Sequence, residues 1–205
     1  MTNDTILNQE KLRKEEEYKK YINTHKENIL KMHELLQRYG SIYLTITMYD
    51  DTNKDMLERL NKHDDSKYSK EEFDAYRIKF YPTKEEENKI KTSAEYANMV
   101  KTNYKNALQH HYKYNTHHPQ HYVDSDGSIR DMSVKDVYEM ILDWMAISYY
   151  KHNITTKELA IYYAIYHYKT NRFPFSDNTK KLVDHYMEIL MHLMDLMDCY
   201  FGLSS

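Results

Sequence analysis

The chain has 205 residues, a formal net charge of −3 and a single cysteine. That length allows one domain with a real core, and the interspersed acids and bases leave no concentrated basic face for a nucleic-acid polymer. Cys199 alone can form neither an internal disulfide nor a zinc–thiolate site, no apolar run approaches a membrane span, and the first residues are too polar for a secretory signal. A reducing cytoplasm is the expected compartment.

Only three glycines and three prolines interrupt the chain, so long helices are expected. The Lys, Asn, Tyr and Ile bias fits an AT-rich genome such as that of many phages and large DNA viruses. Amphipathic spacing predicts helices over 8–39, 52–63, 70–80, 84–114, 134–151, 156–171 and 177–200, hence an all-α, single-domain helical bundle. Ser69 with Glu72, Thr83 with Glu86, Ser133 with Asp136 and Thr155 with Glu158 have capping-box form. Residues 41–49 alternate like a strand, but no second strand is evident to pair with them, and helix or loop is favoured there. Residues 115–132 contain Pro119 and the Asp126-Gly127 turn signal and should form a long loop.

In the first helix Tyr18, Ile22, His25, Ile29, Met32, Leu36 and Tyr39 form one apolar stripe. His25, in its middle, is either a hydrogen-bonded core histidine or a metal ligand, and His33 lies beside the stripe as the weaker candidate. His63-Asp64-Asp65-Ser66-Lys67 follows the second helix. Adjacent His and Asp side chains can turn toward one metal ion, and Lys67 can set an ammonium over an anion held there. Glu71 and Glu72 read as the exposed first turn of the next helix. A second stripe, Ile90, Ala94, Ala97, Val100, Tyr104, Ala107 and His111, places His111 inward and His110 about 100° away. With His117 and His118 close behind, this is a metal-binding composition or else a solvated polar cluster.

In the helix from 134, Val134, Val137, Tyr138, Ile141, Trp144, Met145 and Ser148 share one side, with Asp143 and Glu139 opposite. Periodicity leaves Asp143 undecided between solvent and a buried site. Further on, Tyr162, Ile165 and Tyr166 suggest one packing face. Met187, Leu190, Met191, Met194 and Met197 suggest another, either core or a homodimer face.

Taken in order, His25, His63-Asp64, His110/His111, His117-His118 and Asp143 make the inventory of a dinuclear site with nitrogen and oxygen ligands. This order resembles the HD-domain superfamily of metal-dependent phosphohydrolases, with His63-Asp64 as the eponymous pair and Lys67 in the HD-x-x-K spacing. Tyr21-Ile22-x-x-His25-x-x-Asn28, His63-Asp64-x-Ser66-Lys67-x-x-x-Glu71-Glu72-Phe73-x-x-Tyr76, His110-His111 followed by Asn115-x-His117-His118-Pro119, and Glu139-Met140-x-x-Asp143-Trp144 look more closely like an uncharacterised phage, viral and bacterial family. The resemblance covers about residues 18–150, with 151–205 as a helical extension. The short interval from His111 to His117 and the missing GYP motif depart from the dinuclear cyclic-dinucleotide branch.

The resemblance implies a hydrolase acting on a small phosphoester, such as a nucleotide, through a metal-bound hydroxide. His25, His63, Asp64 and Asp143 would hold one divalent ion (Mn, Fe, Co or Zn). Asp64 would bridge to a second ion held by His111 with His117 or His118, and His110 would stand in reserve. Lys67 would steady the phosphate, and Ser66 and Glu139 would orient ligands or take a proton. A di-iron oxygenase and a non-catalytic, metal-stabilised accessory protein are the alternatives.

Overall fold

A computed structural model describes the backbone of residues 3–40, 52–151 and 157–201. The alternating stretch Ser41–Tyr49 and the expected cap at Thr155 lie outside them, as do the side chains of Tyr39, Ser148, Glu158, Met197 and Cys199. The fold is all-α. Eight α-helices are described: α1 (Asn3–Gly40), α2 (Thr52–Asn61), α3 (Phe73–Phe80), α4 (Lys84–Thr92), α5 (Ala94–Tyr114), α6 (Val134–Lys151), α7 (Lys157–Thr170) and α8 (Asp177–Phe201). Single 3₁₀ turns occupy Asp65–Tyr68 and Pro119–Tyr122, and an isolated bridge joins Val123 to Ile129. Among the described residues no helix is long and apolar enough to cross a membrane.

The helices gather into two compact units that do not follow chain order. The first comprises Met1–Thr24 and Asp64–Asn115; the second comprises His25–His63 and Thr116–Ser205. Helix α1 therefore contributes to both. Each unit has its own apolar core. In the first, Tyr18 and Ile22 of α1 bury with Tyr76 of α3 and Ala107 of α5, and Tyr21, Phe73, Tyr81 and Tyr104 pack around them. In the second, Ile29, Met32, Leu35 and Leu36 of α1 bury with Met56 and Leu60 of α2 and the apolar faces of α6, α7 and α8.

The predicted helix over 84–114 is two helices. Ser93 sits in extended backbone (φ −124°, ψ 111°), ends α4, and caps α5 by accepting from the Tyr96 amide. Serine competes for backbone amides in this way, which is why it favours caps over helix interiors. The capping box at Thr83 and Glu86 forms as expected, and Ser133 and Asp136 exchange reciprocal bonds at the start of α6. Ser69 and Glu72 form no such box: Glu72 itself precedes α3, and its side chain is used elsewhere.

Helix α7 corrects the expected packing face. Tyr162 and Tyr166 are about half exposed (48 % and 54 %), and the buried face is Ala160, Ile161, Ala164 and Ile165. Alanines let a neighbouring helix approach closely, whereas tyrosine rings there would hold it off. In α8, Met187, Leu190 and Leu193 are buried, with Met191 and Met194 packed against the core, which favours the core alternative for that face.

Candidate metal centre

Helix α6 sets the site in the second unit. Every residue from Asp136 to Ala146 is buried, acids included. A carboxylate on a helix buried all round is costly unless it is paired or bound to a cation. Burial thus resolves what periodicity left open at Asp143. Its Oδ1 lies 2.9 Å from His25 Nε2 and 3.8 Å from His63 Nε2. Among the described residues that oxygen accepts no well-directed hydrogen bond. Burial pushes the Asp143 carboxyl up, but His25 and His63 outweigh it and hold the group well below the usual carboxylate range.

One turn earlier, Glu139 works from behind the imidazoles. Its Oε1 lies 2.7 Å from His63 Nδ1 and 3.4 Å from His117 Nδ1, and its Oε2 accepts from Arg59 Nε. Burial alone would raise the Glu139 carboxyl, yet His117 and His63 lower it strongly, so it is an anion. An ionised carboxylate only accepts, so His63 Nδ1 donates to it, and in the neutral ring Nε2 would be the nitrogen able to bind a cation. The rings of His63 and His117 stand 4.2 Å apart, and the half-buried His118 ring is 4.2 Å from His117.

Buried histidines and acids here could hold a metal ion. His63, His117 and Glu139 are close enough to share one, but both Glu139 oxygens are already engaged, which fits support of the imidazoles better than direct ligation. The donor chemistry of His25, His63 and Asp143 fits a divalent transition metal: imidazole nitrogen and carboxylate oxygen, water-excluded, with a carboxylate behind one ring. His33 follows the core reading instead. It is buried, with Nδ1 2.9 Å from the Tyr138 hydroxyl.

The first unit holds the remaining candidates. Asp64 adopts left-handed backbone (φ 59°, ψ 19°), costing about 1 kcal/mol for a residue with a side chain, though Asp tolerates it better than most. The helix predicted over 52–63 therefore stops at Asn61, and the backbone turns sharply between the His and the Asp. The 3₁₀ turn then returns Lys67 so that its Nζ lies 2.6 Å from Asp64 Oδ2. His111 Nε2 lies 3.2 Å from Asp64 Oδ1.

Behind His111 the first unit repeats the device seen at Glu139. Glu72 Oε2 is 2.9 Å from His111 Nδ1, and Oε1 is 2.7 Å from His110 Nδ1. Far from lying in an exposed first turn, Glu72 is 0 % exposed. Burial raises its carboxyl, and the bonds from His111, His110 and Ser66 lower it further than burial lifts it. Burial disfavours the His111 cation, but Asp64 and Glu72 outweigh that and raise the imidazole. Ser66 Oγ is 3.3 Å from His111 Nδ1 and accepts from Asn115 Nδ2 at 2.7 Å.

His25, His63, His117, His118, Glu139 and Asp143 thus lie together in one unit, and Asp64, Ser66, Lys67, His110 and His111 in the other. His63 and Asp64 are consecutive in the chain, one in each unit. Sequence reasoning missed Glu72, Arg59 and Asp136. Glu72 stands in the S-x-x-E spacing, which points to a cap, and in the Glu71-Glu72-Phe73 stretch of the resemblance, which gives it no role; nothing local marks Arg59.

No match to the chain was found among curated proteins or among solved structures. A family model described as a family of unknown function, DUF5662, matches residues 14–194 and so spans nearly the whole chain, including every donor described above. The chain belongs to this family of unknown function.

Proposed function

We propose that this protein is a metal-dependent phosphohydrolase acting on a small phosphoester, such as a nucleotide, with two divalent ions of the Mn, Fe, Co or Zn class. The observation that carries the reading is the doubled arrangement of carboxylate behind imidazole: Glu139 behind His63 and His117, Glu72 behind His111 and His110. A histidine whose Nδ1 proton is fixed on an acid presents Nε2 as a ligand, and metal sites use this pairing widely.

In this reading His25, His63 and Asp143, with His117 and His118 beside them in the second unit, would serve one ion, and Asp64 and His111 of the first unit would serve another. Bound divalent ions would supply a water of lowered pKa and would neutralise charge on the phosphoryl oxygens. The chain's own residues do the rest. Asp64 would offer a carboxylate oxygen to an ion, and the Lys67 ammonium, 2.6 Å from Asp64 Oδ2, would meet a substrate phosphate as a point charge. Glu139 and Glu72, both held anionic, fix imidazole orientation rather than shuttle protons. The resemblance of His63-Asp64-x-x-Lys67 to HD-type phosphohydrolases supports the same chemistry.

Anaerobic purification with elemental analysis tests the metal, and hydrolysis of nucleoside monophosphates, cyclic nucleotides and dinucleotides tests the reaction. About two ions per chain are expected, with turnover that Asp64→Ala abolishes. Fewer than one ion per chain, unchanged by His63→Ala, overturns the dinuclear site. Oxygen consumption with a mixed-valence iron signal would replace hydrolysis with oxygenase chemistry.

A further inference from the structure

Behind the imidazoles of the second unit lies a network centred on Arg59 that reaches them through Glu139. Arg59 of α2 donates from Nε to Glu139 Oε2 and from Nη2 to Asp136 Oδ1, at 2.5 Å, and to Thr116 Oγ1, at 2.9 Å. Asp136 in turn accepts from the hydroxyls of Tyr122, at 2.6 Å, Thr116 and Ser133. One guanidinium therefore ties three segments. The first is the helix whose end leads to His63. The second is the first turns of α6, which carry both acids. The third is the loop in which Thr116 precedes His117.

A simple ion pair would need one acid. Here the planar fork spans two acids on successive turns of α6 and a hydroxyl next to a candidate ligand, and arginine presents donors on separate nitrogens in the fixed directions this needs. Burial lowers the Arg59 guanidinium's affinity for its proton, but Glu139 and Asp136 more than restore it.

We infer that Arg59 is a positioning residue of the metal centre: it pins one Glu139 oxygen so that the other receives the Nδ1 protons of His63 and His117, which aims both rings. This inference rests on the metal reading above. It makes Glu139 and Arg59 a single unit, so that loosening either should misalign two imidazoles at once.

Titration of the metal-free protein with Co(II), followed by visible absorption and by X-ray absorption at the cobalt edge, tests it. Metal-free thermal unfolding is recorded alongside. Wild type should bind with a spectrum showing several nitrogen ligands. Arg59→Met and Glu139→Gln should each weaken binding by about 10- to 100-fold and alter the spectrum through loss or displacement of imidazole nitrogen. Arg59→Lys should restore little, because a point charge cannot span the three acceptors.

Wild-type affinity and an unchanged cobalt spectrum in folded Arg59→Met would overturn the inference, as would a lowered melting temperature with the spectrum intact. If Arg59→Met does not fold, Glu139→Gln and Arg59→Lys decide on the same criteria. A wild-type protein that takes up no cobalt would overturn the metal reading itself, an outcome distinct from a bound metal with indifferent variants.

Discussion

Lys67→Met separates two roles of one ammonium. Lys67 Nζ and Asp64 Oδ2 are 2.6 Å apart, with the lysine side chain 11 % and the aspartate 3 % exposed. At an effective dielectric of about 20, charges at that distance attract with about 6 kcal/mol before desolvation. Desolvation of both groups cancels most of this, and a charge-assisted bond of this kind nets about 2 kcal/mol. His111, already inclined toward its cation by Asp64 and Glu72, cushions part of the loss. The metal-free variant should therefore lose about 2 kcal/mol in urea denaturation at neutral pH, roughly a 30-fold change in the folding equilibrium. With metal bound, Asp64 has another partner and the deficit should shrink. Phosphoester turnover should still fall, by about a hundredfold if the ammonium meets charge that develops in the transition state. Unchanged metal-free stability would refute the pairing with Asp64, and unchanged kcat/KM would refute the phosphate role.

Asp143→Asn removes the charge between His25 and His63 and should abolish tight metal uptake at one of two sites, read as a fall in metal content by elemental analysis. Tyr122→Phe deletes one donor to buried Asp136 and should cost about 1.5–3 kcal/mol in chemical denaturation, because the acceptor is charged. The Glu86 carboxyl gives a pH signature. Burial raises it, but Arg77, bonded through both amino groups at 2.6 and 2.8 Å, and Thr83 hold it below its ordinary 4.5. A carboxyl lowered on folding stabilises above its unfolded pKa and ceases to as pH falls through its folded pKa. Wild type should therefore be more stable than Glu86→Gln near pH 6, and the gap should close on acidification below about 4.5; a gap that is independent of pH would contradict the pairing.

Helix periodicity in this chain identified what is inside an element but not what faces an acid from another. The stripe from Tyr18 to Leu36 was legible, and its members with described side chains, His25 included, are buried. His111 was legible as the inward end of a row of which Val100, Ala107 and His111 are buried, while Ala94, expected in the same stripe, is exposed because the helix starts afresh there after Ser93. Asp143 was not, because a helix buried on all sides has no polar face to read. Glu72 was misread because S-x-x-E is both a cap spelling and an accident, and only the packing of α5 distinguishes them. Ser93 was hidden for the opposite reason: the apolar pattern continues through it, while the backbone does not. The division into two units left no trace in composition, since the chain crosses between them inside α1, at the His63–Asp64 bond and after Asn115.

That sharing of α1 has a consequence for synthesis. The first unit has all its segments once residue 115 has left the ribosome, so its tyrosine-rich core can close early. The second cannot: Ile29, Met32, Leu35 and Leu36 must wait for the apolar faces of α6 to α8, more than a hundred residues downstream. Throughout that interval one end of a continuous helix is folded and the other displays a bare apolar stripe. The nascent chain is then most open to aggregation and to chaperone capture, and slowed translation after Asn115 should lengthen that exposure.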